Sequence, residues 1–182
     1  MGKGLTTRRM VVAGVLGAIS ILLGITRLGY IPVPTPAGNA TIMHVPAVIG
    51  GIIEGPVVGL IIGLIFGVSS FLNASIPLFK DPLVSIVPRL FIGVVAFLVY
   101  IGLKRFNKYV AIGAAGFFGS LTNTVFVLAV AVARGYFTLP VALGVAIANG
   151  LPEAIVSVIV TLAVVAPWKK IGASRKKKSK IS

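Results

Sequence analysis

ATIMHVPAVIGGIIEGPVVGLIIGLIFGVSSFL, residues Ala40–Leu72, holds one carboxylate, Glu54, and one histidine, His44, in an otherwise apolar run. Glu54-Gly55-Pro56 divides it. Proline suits the first turn of a helix, and the residue before it avoids helical backbone, so a new helix begins at Pro56. The segment before it, Thr41–Ile53, is short for a full membrane crossing at about 1.5 Å per residue. It either extends into the preceding loop or sits in a locally thin region. In the segment after it, Pro56–Leu72, the residues Gly55, Gly59, Gly63 and Gly67 recur every four positions and share one face. In lipid such a ridge lets helix backbones approach closely, and packing within the chain accounts for it.

Four more apolar segments flank this pair: Met10–Thr26, Pro82–Leu103, Tyr109–Ala133 and Leu139–Ala166. Of the 182 residues, 57% are hydrophobic and only 11% charged, too little polar surface for a soluble domain of this size. The expected fold is an all-α integral membrane protein, a bundle of six transmembrane helices over residues 1–168 with a basic cytoplasmic tail over 169–182. With no cysteine there are no disulfides and no thiolate metal sites. The amino-terminal basic-then-apolar stretch imitates a signal peptide but lacks a clear small-x-small cleavage site, so it is expected to be retained. Its opening Met-Gly-Lys-Gly-Leu-Thr loosely fits a myristoylation pattern, an anchor that a polytopic protein does not need.

Charge orients the bundle. With both termini on one side, that side holds Lys3, Arg8, Arg9, Lys104, Arg105, Lys108 and the basic residues from Lys169 to Lys180. The other side holds Arg27, Lys80 and Arg134. The asymmetry predicts cytoplasmic termini. The net charge of +14 is thereby read as a topology anchor and solvated tail in contact with anionic lipid, with no nucleic-acid partner. The outer loops, GYIPVPTPAGNA, NASIPLFKDP and RGYFTLP, each contain proline with aromatic and polar residues, which places a ligand-capturing surface on that face.

Polar groups inside membrane segments are costly and so mark functional hypotheses. Arg89 is expected about 10 Å below the outer end of the fourth segment, and Asn123 roughly 15 Å deep in the fifth. Asn149 and Glu153 are four apart on one face of the sixth. His44 lies near the outer end of the second. These five groups are candidates for one cavity in the outer half of the bundle. Plainer roles compete: Arg89 and Glu153 as a buried ion pair, Asn123 with its flanking threonines as interhelical hydrogen bonds, His44 as a donor to a loop carbonyl, Lys80 and Asp81 as an exposed pair. A lone histidine without nearby ligands makes no metal site. No serine–histidine–acid set or aspartate cluster suggests an enzyme, and no G-x-x-x-x-G-K-[ST] loop suggests an ATPase. The pattern suits a binding subunit that borrows its motor. Its rivals are a stand-alone transporter coupled to protons through Glu153 and, more remotely, a membrane enzyme acting on lipid or prenyl substrates.

Over nearly its full length the chain resembles the substrate-binding S components of energy-coupling factor (ECF) vitamin transporters. The resemblance rests on the six segments, on the run Ala40–Leu72, and on FKDPLVSIVPRLFIGVVAFLVY, Phe79–Tyr100. Those runs look like the pantothenate-type group, with cobalamin-type members as alternatives. It implies a multi-pass protein of the cell membrane that binds a vitamin from outside without a cofactor. It also implies docking on a T subunit carrying two ATPases, followed by toppling in the membrane to release the cargo inside.

For individual residues, the resemblance implies that the loop Gly29–Ala40 gates the pocket, with prolines 32, 34 and 36 limiting its freedom. Arg89 would meet a ligand carboxylate with its planar fork. Asn123, Asn149 and His44 would meet amide and hydroxyl groups, with Glu153 and Asn39 also at the site. Tyr30, Phe71 and Tyr136 would supply apolar walls. Family members dock through an alanine-x-x-x-alanine face on the first helix. Here that place reads Gly14-x-x-x-Ala18, with Ala13-x-x-x-Gly17 alongside.

Overall fold

The computed structural model describes residues 6–178, with side chains described through residue 171. Lys3, the Met-Gly start and the end of the basic tail, Lys180 included, lie outside the described residues. The regular structure of the described chain is helical apart from one small ribbon. Helix α1 spans Thr7–Ile25, and strands β1 (Tyr30–Ile31) and β2 (Ala40–Thr41) follow. Helices α2 (Val45–Glu54) and α3 (Pro56–Leu72) come next, then a 3-10 turn (Pro77–Lys80) and the short α4 (Pro82–Ser85). Helices α5 (Val87–Leu103), α6 (Lys108–Ala133) and α7 (Leu139–Lys178) complete the fold.

Helix ends follow local chemistry. Asn107 caps α6 by accepting from the Tyr109 and Val110 amides at 2.8 and 3.2 Å. Asp81 caps α4 through the Leu83 amide at 2.9 Å. Gly55 turns the chain between α2 and α3 at φ 105°, a backbone state that a side chain would strain. The second segment is shorter than its apolar run because Ala40 and Thr41 pair with Ile31 and Tyr30 instead of joining the helix. The fourth segment breaks at Ile86. Pro88 has no amide to give the Val84 carbonyl four residues back, and the Arg89 Nη1 donates to that carbonyl instead. The sixth segment continues through Pro167 into the basic stretch as far as Lys178.

Four stretches are long and apolar enough to cross a membrane: Thr7–Ile25, Pro82–Leu103, Lys108–Ala133 and Leu139–Ile171. Helices α2 and α3 are apolar but shorter.

The glycine ridge packs inside the chain. A Cβ on Gly59 would meet the Gly93 Cα at 2.8 Å, and one on Gly67 the Ile86 Cα at 3.0 Å. Gly51 faces the Gly93 carbonyl and Gly63 the Arg89 carbonyl, both too close for any side chain. Helices α2, α3 and α5 therefore touch main chain to main chain. On α1, Ala13 and Gly17 face inward, and a Cβ on Gly17 would meet Ile65 Cδ1 at 2.7 Å. Gly14 and Ala18 face outward, with nothing within 4 Å of the Gly14 position. The two small pairs thus divide, one used within the bundle and one left on its surface.

Candidate functional site

A cavity of about 670 Å³ opens where the loop after α1 crosses the same end of the bundle as the 73–79 loop. Of the residues expected from sequence, Arg89, Asn123, Asn149, Glu153, Tyr30 and Asn39 line it. They arrive from α5, α6, α7 and the loop, so four separate parts of the chain converge on one chamber. Its size falls in the range of small-molecule sites, roughly 300–1,000 Å³.

Arg89 is 3% exposed and has no ion-pair partner among the described residues. Its guanidinium lies 5.4 Å from the Phe66 ring centre and 5.1 Å from that of Phe79. Two aromatic faces and the Val84 carbonyl thus hold a cation that makes no direct ion pair, with the Glu153 carboxylate close enough to act on it across the cavity. The expected alternative of a direct Arg89–Glu153 pair is not what forms. A buried charge left this way favours an anionic occupant, since an opposite charge relieves the penalty of its burial.

Glu153 is engaged elsewhere. Its Oε1 accepts from the Thr41 amide at 2.6 Å and its Oε2 from the Thr124 hydroxyl at 3.1 Å. One turn away, Asn149 Nδ2 donates to the Gly38 carbonyl at 3.0 Å, leaving its Oδ1 buried without a partner. Asn123 Oδ1 is likewise buried and unpartnered. Buried polar atoms are nearly always paired, so these two invite a polar ligand or ordered water.

Three expected residues fall elsewhere. His44 is fully buried outside the cavity lining, with neither ring nitrogen bonded to a described residue. It stands one turn before Val48 on α2, whose side chain packs against Gly119 in the core. Phe71 is not in the lining because Phe66 and Ser70, four apart on α3, take the cavity face and Phe71 is rotated off it. Tyr136 follows the α6–α7 turn at Gly135 and is 41% exposed. Asp81 pairs with Arg134 at 2.8 Å, not with Lys80 as expected. That hydrogen bond, helped by the Leu83 amide, holds the Asp81 carboxyl below its ordinary range.

Sequence reasoning missed Phe66 and Phe79, which sandwich Arg89, and Ser70, Asn73 and Ser75 at the rim. The last two belong to the loop NASIPLFKDP, whose composition was the available signal. Phe66 carried none, since an apolar residue in an apolar helix is unremarked, whereas Phe79 shares the loop that holds Asn73 and Ser75.

Comparison with known proteins bears on this arrangement. A search of curated proteins finds no match. Residues 8–165 match the model of the family described as ECF transporter, substrate-specific component.

Proposed function

From the chain's membership of the ECF transporter substrate-specific component family, to which it belongs, we propose that it is a high-affinity vitamin-binding subunit with pantothenate as its cargo. The family is one of transporter components, not of enzymes, and it implies a small-molecule substrate and partners in an ECF module of T subunit and ATPases. On this reading the chain is a multi-pass protein of the cell membrane with six crossings and cytoplasmic termini. The cavity faces outward, and Gly14 and Ala18 form the docking face for the T subunit. The excess of basic residues at the opposite end of the bundle supports that orientation.

One observation carries the substrate: the buried Arg89 guanidinium, which makes no direct ion pair, in a chamber also lined by Arg27 and Glu153 and otherwise by amide, hydroxyl and apolar groups. Pantothenate has a single carboxylate for Arg89, hydroxyls and an amide for Asn123 and the rim, and an apolar middle. A corrinoid offers no comparable carboxylate and is bulky for about 670 Å³. The test is a panel of water-soluble vitamins against the purified chain, without ATP, by thermal shift and calorimetry. Submicromolar binding of pantothenate is the expected result, and a panel with no binder overturns the proposal.

A further inference from the structure

The loop between Gly29 and Met43 forms one wall and the cover of the cavity; Ala37 and Ala40 pack it against the core, and its hydrogen bonds to the rest of the chain are few. At its base, the Gly29 amide bonds the Leu23 carbonyl at 2.9 Å, and the Ser20 hydroxyl bonds the Met43 carbonyl at 2.6 Å. Strands β1 and β2 tie the two limbs to each other, and Thr35 and Gly38 close a turn within the loop through a 2.9 Å bond. Among the described residues, two hydrogen bonds hold its far part to the bundle, both to α7: Asn149 donates to the Gly38 carbonyl, and the Thr41 amide donates to Glu153.

We propose that Asn149 and Glu153 are positioning residues that latch this loop shut over the cavity, and that the exchange rate of the ligand is set by the breaking of these two bonds. The inference rests on the vitamin-binding reading for what is exchanged, but not for the latch itself. Three observations converge. The pair is spaced four apart, so both side chains leave α7 on one face and reach two points of the same loop. Both partners are main-chain groups of that loop, so the grip does not depend on which side chains the loop carries. Glu153 is also buttressed by Thr124 on α6, which fixes its carboxylate before the loop arrives.

Pro152 adds to this. It supplies no amide to the Ala148 carbonyl, so α7 lacks one backbone bond between its two latch residues. A small flexure there changes the spacing of Asn149 and Glu153 and breaks their match to Gly38 and Thr41. The latch is built so that bending one helix releases both bonds together.

The experiment uses the full chain purified without ligand. Hydrogen exchange followed by mass spectrometry reads the amides of residues 29–43 in wild type, Asn149→Leu, Glu153→Leu and Glu153→Gln. Each leucine variant is expected to exchange there at least tenfold faster with α2 and α3 unchanged, and Glu153→Gln, which keeps an acceptor for the Thr41 amide, to recover part of the protection. Wild-type loop exchange in both leucine variants, folded by the protection of α2 and α3, overturns the latch. With whichever vitamin binds, association and dissociation rates should both rise. A reordered ranking of ligands across the panel with unchanged loop exchange assigns the two side chains to the ligand and also overturns it. A panel with no binder refutes the vitamin reading alone, since loop exchange still decides the latch.

Discussion

Gly63 lies directly against the main-chain carbonyl of Arg89, so close that the first carbon of any side chain would take the oxygen's place. The contact ties the buried cation of the cavity wall to the glycine ridge of α3. The ridge therefore does more than close the bundle: it sets how far Arg89 stands from the Phe66 ring across the helix pair.

Gly63→Val should therefore lower stability sharply. Overpacking of a tight core contact typically costs about 1–3 kcal/mol, and here the obstacle is backbone that cannot rotate away. Thermal unfolding in detergent should show a large drop in Tm. Gly14→Val is the control, because open space surrounds that position, and its Tm should match wild type.

Arg89→Ala should weaken the binding of a carboxylate vitamin at least tenfold, about 1.4 kcal/mol or more. Arg89→Lys keeps the charge but loses the planar fork and its stacking on two rings, so it should recover affinity only in part. Calorimetry with the acid and with an uncharged amide analogue checks the assignment. The amide should bind wild type and Arg89→Ala equally, and an equal loss for both ligands would give Arg89 a structural role.

The membrane class, six apolar segments and convergence of Arg89, Asn123, Asn149 and Glu153 were legible because charge and polarity are scarce in this chain and each exception stands out. The start of α3 at Pro56 was legible for the same local reason, a proline after a glycine. What could not be read was rotation. Phe71 and Phe66 look alike in sequence, and only the packing of α3 on α5 turns one toward the cavity and the other off it. His44 stands at the start of α2 as its position in the segment suggested, but its burial outside the cavity lining could not be read. Pairing was also hidden: Asp81 and Arg134 are far apart in the chain, whereas Lys80 is adjacent to Asp81 but not its partner.

The Asp81–Arg134 pair predicts an acid response at that end of the bundle. The Asp81 carboxyl titrates below its ordinary value of 3.8 in the folded protein. Its contribution is therefore complete above about pH 4 and is lost as pH falls through the lowered value. Asp81→Asn should be less stable than wild type near neutrality, and the two should converge in strong acid. Arg134 is half exposed, so added salt should narrow the gap at neutral pH. Unfolding measured across pH at two ionic strengths checks both statements.

Replacing Gly14 or Ala18 with a bulky residue should spare vitamin affinity and impair assembly with the T subunit and its ATPases. Both positions are on the surface of α1, away from the cavity lining. Co-purification of the module with tagged variants, alongside calorimetry on the isolated chain, separates the two effects. A fall in affinity without loss of assembly would remove these residues from the docking face.

Where α2, α3 and α5 meet through Gly51, Gly59, Gly63 and Gly93, no layer of side chains lies between them to rearrange. A seam of bare backbone has no second rotameric solution, so these three rods must travel as one solid piece. Whatever deformation accompanies loading and emptying is thereby confined to the periphery, and a label placed on that piece would serve as the fixed reference from which all other displacements are measured.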